Sequence, residues 1–371
     1  MSTLSIYVHI PFCHRRCPYC SFYHVHPQRE EAFVDALVAE ATQVLRSLRS
    51  LPPRPLLKTV YFGGGTPSVM SAASWERIFD AVVPSGLETA SEITCEVNPE
   101  DVTDDLLESI AALGVNRLSI GVQSMDANVQ ALLGRCPPEV NRRAITSAGR
   151  QFNNLSFDVL LGVPGREAPS LEKTMDELIE FAPDHFSLYC LEPGGDLGKA
   201  AERFFDAVDM DHSADEYLRV CERLKKAGFH HYEVSSFARP ERESAHNRVY
   251  WDGGDYVGLG PAAHSYVGGR RFHNPPSLDR YLACAGLPGE DRWIFDDTGP
   301  EEAKTERLML SLRTDKGIAL EGLSCPEATI NGILEEGFAE VSGGRLRLTD
   351  HGFLLLNEIA LRIGDGFRDR S

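Results

Sequence analysis

The sequence predicts an α/β protein in which strand–helix units build an incomplete barrel or an open parallel sheet, followed by a smaller, mostly helical C-terminal domain. Three observations predict it. Short apolar runs alternate with helical patterns over the first two-thirds of the 371 residues, which implies parallel strands joined by right-handed crossovers. After about Arg239 the chain turns rich in Gly, Pro and aromatics without helical periodicity. From Pro300 a helical pattern resumes.

The strands are expected near Ser5–Ile10, Lys58–Phe62, Glu92–Val97, Asn116–Gly121, Leu155–Gly162 and His185–Leu191. The clearest helix is Glu30–Leu48, where Val34, Leu37, Val38, Ala41, Leu45 and Leu48 form one apolar stripe. Residues 1–238 read as the core, and 239–299 as a connecting region with a function of its own. Residues 300–371 form the last domain, in which "GRLRLTDHGFLLLNEIALRI" reads as strand, turn and helix in a winged-helix-like manner.

A hydrophobic fraction of 42% with 25% charged residues supports a sizeable core. No apolar window reaches membrane-spanning length, and the N-terminus lacks a signal peptide's basic and apolar parts, so the cytoplasm is the expected compartment. The net charge of −18, from 55 acidic against 37 basic residues, should repel phosphate backbones and argues against a nucleic-acid partner. The nine cysteines do not resemble a disulfide scaffold: three are clustered and six are scattered, as small core residues or free thiols are.

In parallel α/β folds ligands gather at the C-terminal ends of the strands. Unusual chemistry follows five strands here: the cysteines the first, Gly63-Gly64-Gly65-Thr66-Pro67 the second, Asn98-Pro99 the third, Gln123 the fourth and Pro164-Gly165 the fifth. One shared site is expected on that rim.

Cys13, Cys17 and Cys20 are spaced C-x3-C-x2-C. A zinc site usually takes four protein ligands, and His14 and His24 are available to complete one. A [4Fe–4S] cluster is normally held by four thiolates, so three leave one iron open to a cofactor or substrate. Both readings stand on spacing alone, beside chance clustering.

This triplet, with Tyr19 just before its third cysteine, resembles the signature of the radical S-adenosylmethionine (SAM) superfamily. The resemblance implies a partial (β/α)6 TIM-like barrel and a [4Fe–4S] cluster on Cys13, Cys17 and Cys20. Its open iron chelates SAM, and an electron from the cluster cleaves SAM to a 5′-deoxyadenosyl radical. The blocks "YVHIPFC", "VYFGGGTPS", "EVNPE", "RLSIGVQS", "LGR" and "HNRVYW" resemble the oxygen-independent coproporphyrinogen III oxidase-like branch over nearly the whole chain. By that likeness Tyr7, Tyr19, Gly64, Gly65, Thr66, Glu96, Gln123, Arg135 and Asp158 fall at SAM-contacting positions.

Within the branch, the oxidases carry an extra N-terminal closing segment and a further cysteine one residue past the third. Here the triplet begins at Cys13 and Phe22 stands at that position, which resembles the heme-chaperone subclass and speaks against coproporphyrinogen dehydrogenase activity. That subclass implies heme as a ligand, with His246 of "HNRVYW" as its axial imidazole, Asn247 orienting it, and Tyr250 and Trp251 against the macrocycle. The alternative for His246 is a buried hydrogen-bonded corner. His264 and His273 are weaker ligand candidates, and His230 and His231 weaker still. A heme-acceptor protein is the expected partner, and a homodimer stays open. An enzyme of porphyrin chemistry and a zinc-bearing interaction protein are the rival readings. The chain departs from the branch at Cys136, where His is common, at Ala262 in place of Gly, and in a shortened "LYCLEPGGDLGKA".

Overall fold

The six expected strands all form, because each is a short run rich in β-branched and apolar residues bounded by loop-forming ones. The structure, a computed structural model, describes residues 3–49, 55–83, 90–166, 168–191, 208–296 and 298–368. Most of the "LYCLEPGGDLGKA" stretch, from 192 onward, lies outside the described residues. The strands are β1 (Thr3–Ile10), β2 (Leu56–Gly64), β3 (Glu92–Val97), β4 (Arg117–Gln123), β5 (Leu155–Leu161) and β6 (His185–Cys190). They pair in sequence order and in parallel, with helices in the crossovers, as a partial barrel requires.

The outward side chains of these strands are apolar and covered by the helices. Ile6, Val8 and Ile10 of β1 are buried, and helix Glu30–Arg49 lays Val34, Leu37, Ala41 and Leu45 into the same core. The inward side chains are polar: Ser5, Thr59, Glu92, Thr94, Arg117, Ser119, Ser156, His185 and Ser187 are all buried. Alternation with period two sends each strand's two chemistries to opposite faces.

The stretch 239–299, expected to connect, is part of the sheet. It follows β7 (His230–Glu233) and β8 (Ser236–Ala238), which extend the β6 edge in antiparallel fashion. It supplies β9 (Tyr256–Leu259), parallel to β1, then β10 (His264–Val267), β11 (Arg270–His273) and β12 (Ile294–Phe295). The resulting order is β12-β11-β10-β9-β1-β2-β3-β4-β5-β6-β8-β7. Its strands are too short, and its turns too rich in glycine, to show a period in the sequence.

Two buried groups hold this extension. Glu40, on the inner face of helix Glu30–Arg49, accepts hydrogen bonds from Tyr281 (2.5 Å), Asn274 Nδ2 (2.7 Å) and the Gly260 N–H (3.0 Å), and Arg292 lies 3.3 Å away. Burial raises its carboxyl pKa, and Arg292 and the three donors oppose that shift. The second is the short helix Ala245–Trp251, which closes the lower end of the barrel. Glu92 accepts from the N–H groups of Ala245 (2.9 Å) and His246 (3.0 Å), while Ser244 Oγ caps Asn247 (3.2 Å).

His246 is fully buried and both of its ring nitrogens are bonded. Thr59 donates to Ser5 (2.7 Å), so its oxygen accepts from His246 Nδ1 (2.8 Å), and Nε2 accepts from the Tyr250 hydroxyl (2.8 Å). Burial pushes this imidazole down to about 3. The geometry is that of the hydrogen-bonded corner.

The C-terminal part carries a three-stranded sheet, β13 (Ile318–Ala319), β14 (Ala339–Ser342) and β15 (Arg345–Leu348), in the order β13-β15-β14. Helices Pro300–Leu312 and Leu356–Arg368 pack behind it through Leu308, Leu312, Ile359 and Ile363. Asp350 joins it to the barrel, accepting from Lys225 (2.6 Å) and bonding His231 Nδ1 (2.9 Å); these donors hold its carboxyl at about 2 against the opposing effect of burial. No helix among the described residues is long and apolar enough to cross a membrane.

Glu40→Ala leaves Arg292 buried without its partner and is expected to lower unfolding stability by about 3–5 kcal/mol. His246→Ala strands Thr59 and Tyr250 and is expected to cost about 2–4 kcal/mol. Both follow from denaturant titrations, and midpoints equal to that of the unaltered chain would contradict them.

Candidate functional site

The loop after β1 is pinned at its base. Val25 N–H donates to Pro11 O (2.6 Å), and Cys13 N–H donates to Val25 O (3.0 Å). Between these ties Cys13, Cys17 and Cys20 stay half-buried with free thiols, and Cys20 N–H closes a turn onto Cys17 O (3.2 Å). Cys13 Sγ also lies 2.9 Å from Thr66 Oγ1. Burial pushes the Cys13 thiol up to about 11 and raises Cys20, so both are protonated until a metal displaces the proton.

The three cysteines open onto a cavity of about 390 Å³ walled by the ends of β2 to β6. Of the residues expected at the site, Tyr19, Gly64, Gly65, Thr66, Glu96, Gln123, Arg135 and Asp158 all border it. Tyr7 does not: its hydroxyl bonds His9 Nδ1 (3.0 Å), and its side chain borders a second, larger cleft. His246 lines neither space. Asn98, expected on the rim, borders the cavity too, while sequence reading missed Ser119, Tyr189 and Cys190. Strand alternation was the available signal for two of them, since Ser119 lies two residues before Gly121, and Tyr189 two after Ser187, on the inward face.

The glycine run fits close to its neighbours. A Cβ on Gly65 would lie 2.7 Å from Phe12 O, and one on Gly64, at φ +114, would lie 2.7 Å from His9 Nδ1. Gln123 holds φ +66 at a bulge ending β4, an unfavourable backbone for a side-chain-bearing residue and one that collects at functional sites.

The wall carries uncommitted charge. Arg135 Nη2 donates to Gly121 O (2.6 Å) and Asn98 Oδ1 (2.9 Å), yet its buried Nε has no acceptor among the described residues. Glu96 accepts from Tyr61 (2.8 Å) and the Gly64 N–H (3.1 Å), and burial pushes its carboxyl up to about 7. Asp158, accepting from Ser119 (3.1 Å), is likewise pushed up to about 6 by burial. An orphaned guanidinium donor suits a carboxylate, and two buried carboxyls of raised pKa suit a cation. A ligand with amino, sulfonium and carboxylate groups, as SAM has, fits that set.

The thiols do not suit one zinc ion. Among the described residues, no three ligand atoms from the triplet, His14 and His24 lie within 4.8 Å of one another, whereas sulfurs on a single zinc sit on the order of 3.8 Å apart, given bonds of about 2.3 Å. His24 Nδ1 bonds Phe22 O (2.8 Å), and His14 lies 3.8 Å from Asp101. A polynuclear cluster holds its thiolates farther apart.

The raised carboxyls set a pH dependence. Both pKa values lie above their unfolded values, so the folded chain binds more protons between about pH 4 and 7, and this contribution to stability falls as pH rises through that window. Glu96→Gln is expected to flatten the fall by on the order of 2–3 kcal/mol. Melting temperatures of both proteins from pH 4.5 to 8 test this, and parallel curves would refute it.

Residues 7–178 match the family model described as the Radical SAM superfamily. The chain is 34% identical over 369 residues to a heme chaperone HemW from Mycobacterium tuberculosis, covering 95% of this chain and 93% of that one. It is 30% identical over 378 residues to the Bacillus subtilis protein of the same name, covering 96% and 97%. The structure of coproporphyrinogen III oxidase (HemN) from Escherichia coli shares the fold, with a TM-score of 0.81 and 23% identity over 98% of this chain and 90% of that one. Together with the cysteine loop and its cavity, these likenesses establish that the chain belongs to the radical SAM superfamily, within its HemN/HemW family.

Proposed function

We propose that the chain is a heme chaperone of the radical SAM fold. It binds a [4Fe–4S] cluster through Cys13, Cys17 and Cys20, SAM in the adjoining cavity, and heme that it delivers to an acceptor protein in the cytoplasm. The observation that carries the reading is a pinned loop presenting three thiols to a cavity whose wall holds an orphaned arginine nitrogen. The relatives named heme chaperone, similar over nearly the full chain, support the choice of cargo.

When bound, the cluster supplies one-electron chemistry toward SAM. The chain's own residues have defined tasks. Arg135 Nε pairs the ligand carboxylate. Glu96 accepts from the ammonium once ionised, and a neighbouring positive charge lowers its pKa toward that state. Gly64 and Gly65 leave room for the ligand against the backbone, and the walls exclude water. Phe22, 68% exposed, stands where the oxidase branch carries its further cysteine and borders both cavities.

Anaerobic reconstitution with iron and sulfide tests the cluster: about four iron and four labile sulfide per chain are expected, with loss in Cys13→Ala, Cys17→Ala and Cys20→Ala. Full iron content in all three variants would overturn the assignment. Hemin added to the reconstituted chain is expected to give a bound Soret band. Coproporphyrinogen III, supplied with SAM and reductant, is expected to stay unreacted, and protoporphyrinogen formed over many turnovers would make the protein an oxidase instead.

A further inference from the structure

The barrel and the C-terminal part meet at a cluster of ligand-bearing side chains outside the cysteine cavity. Cys221 lies on the buried face of helix Met210–Lys226, His231 on β7, and Asp350 at the start of helix Asp350–Leu354. Their sulfur, ring nitrogen and carboxylate oxygen lie within 4.8 Å of one another. Cys221 and His231 are buried, and Asp350 is partly buried.

The hydrogen bonds around His231 leave a place for a cation. Tyr217 donates its hydroxyl proton to Val234 O (2.8 Å), so its oxygen accepts from His231 Nε2–H (3.3 Å). A neutral ring then carries its proton on Nε2 and turns the lone pair of Nδ1 toward Asp350 Oδ1, 2.9 Å away. Two lone pairs at that distance repel unless a proton or a metal ion lies between them. A second ring proton removes the conflict by burying an imidazolium, whereas an ion shared with Cys221 Sγ removes it with the ring neutral. Phe237, stacked at 4.0 Å, and Phe353, at 4.9 Å, hold the imidazole in this orientation.

One thiolate, one imidazole and one carboxylate suit zinc, while magnesium and calcium take oxygen ligands. Zinc bonds of about 2.3 Å to sulfur and about 2.0 Å to nitrogen and oxygen set the donor atoms roughly 3.3–3.8 Å apart. Water fills the fourth position, and the Nε2–H bond to Tyr217 is the outer contact that orients a metal-bound imidazole. Burial raises the Cys221 thiol, so uptake of the ion releases its proton. Lys225 holds both Asp350 oxygens at 2.6 Å, but its side chain is 47% exposed. Its ammonium can swing into solvent, and the ion enters by the same route. The neighbouring cluster of His230, Glu243 and Asp315 offers no such place, since the buried stem of Arg248 brings its guanidinium to both carboxylates (2.6 and 2.9 Å).

We propose that Cys221, His231 and Asp350 form a zinc site that fastens the C-terminal part to the barrel. The site is separate from the three-cysteine loop and stands independently of the heme-chaperone reading.

The test uses the full chain with its cluster reconstituted anaerobically, so that Cys13, Cys17 and Cys20 are occupied, followed by equilibrium dialysis against zinc. About one zinc per chain is expected, with a higher melting temperature than the zinc-free chain. Zinc-edge X-ray absorption is expected to show one sulfur at about 2.3 Å and nitrogen or oxygen ligands at about 2.0 Å. Cys221→Ser and His231→Gln are expected to weaken zinc binding about tenfold or more. Lys225→Met keeps every ligand and removes the competing ammonium, so it is expected to bind zinc about fivefold more tightly. The site is refuted if the unaltered chain takes up no zinc, or if folded Cys221→Ser binds it equally well. Three sulfurs around the ion would place it on the cysteine loop and refute the site as well, and so would unchanged or weaker binding by Lys225→Met.

Discussion

The fold depends on how a buried polar surface is satisfied. Strand alternation points hydroxyls, carboxyls, an arginine and histidines toward the barrel interior, where each must find a partner or lose stability. At the lower end the chain bonds several of them itself, although Arg117 Nε and Thr94 Oγ1 find no partner among the described residues. His185 bridges Ser156 and Tyr232 at 2.8 Å each, His246 bridges Thr59 and Tyr250, and Glu92 takes the first amides of helix Ala245–Trp251. At the upper end, the Arg135 Nε has no acceptor among the described residues, and burial raises the Glu96 and Asp158 carboxyls to about 7 and about 6. The two ends of the strands therefore differ: His185, His246 and Glu92 are bonded by the chain at one, and Arg135 Nε lies unpaired beside the cysteine loop at the other.

That division explains why the motifs differ in meaning although all resemble one family. The cysteine loop, the glycine run and Arg135 lie together at the end that opens onto the cavity. "HNRVYW" lies at the other end, on helix Ala245–Trp251, where both ring nitrogens of His246 are bonded. Tyr7 lies between them, its hydroxyl turned to His9 and its ring toward the larger cleft. The sequence placed Arg135 at a SAM-contacting position by likeness and left His246 open between a heme ligand and a hydrogen-bonded corner. Their environments separate them, because one has every polar atom paired and the other does not.

Much of this was legible in the sequence. The six parallel strands show as apolar runs with loop chemistry after each, and helix Glu30–Arg49 shows as a stripe with period 3.6. The cysteine spacing and the Gly63–Thr66 turn located the cavity. The sheet extension did not show, since strands of two to four residues carry no measurable period. Glu40 did not show either: a glutamate on a helix is usually solvated, and only the arrival of Tyr281, Asn274 and Arg292 from more than two hundred residues away makes its burial tolerable. Long-range partners of this kind leave no local trace.

The sheet ends in two margins that do not meet among the described residues, β12 at one side and β7 at the other. Each is brief, two residues in β12 and four in β7. A barrel that stays unsealed usually risks recruiting a neighbour's backbone along its exposed border. Here both borders are too short to template such an addition, and on the β7 side Asp315 N–H to Tyr232 O and Val234 N–H to Arg313 O (3.0 Å each) already occupy the backbone, so the unsealed sheet does not become a seed for fibrous assembly.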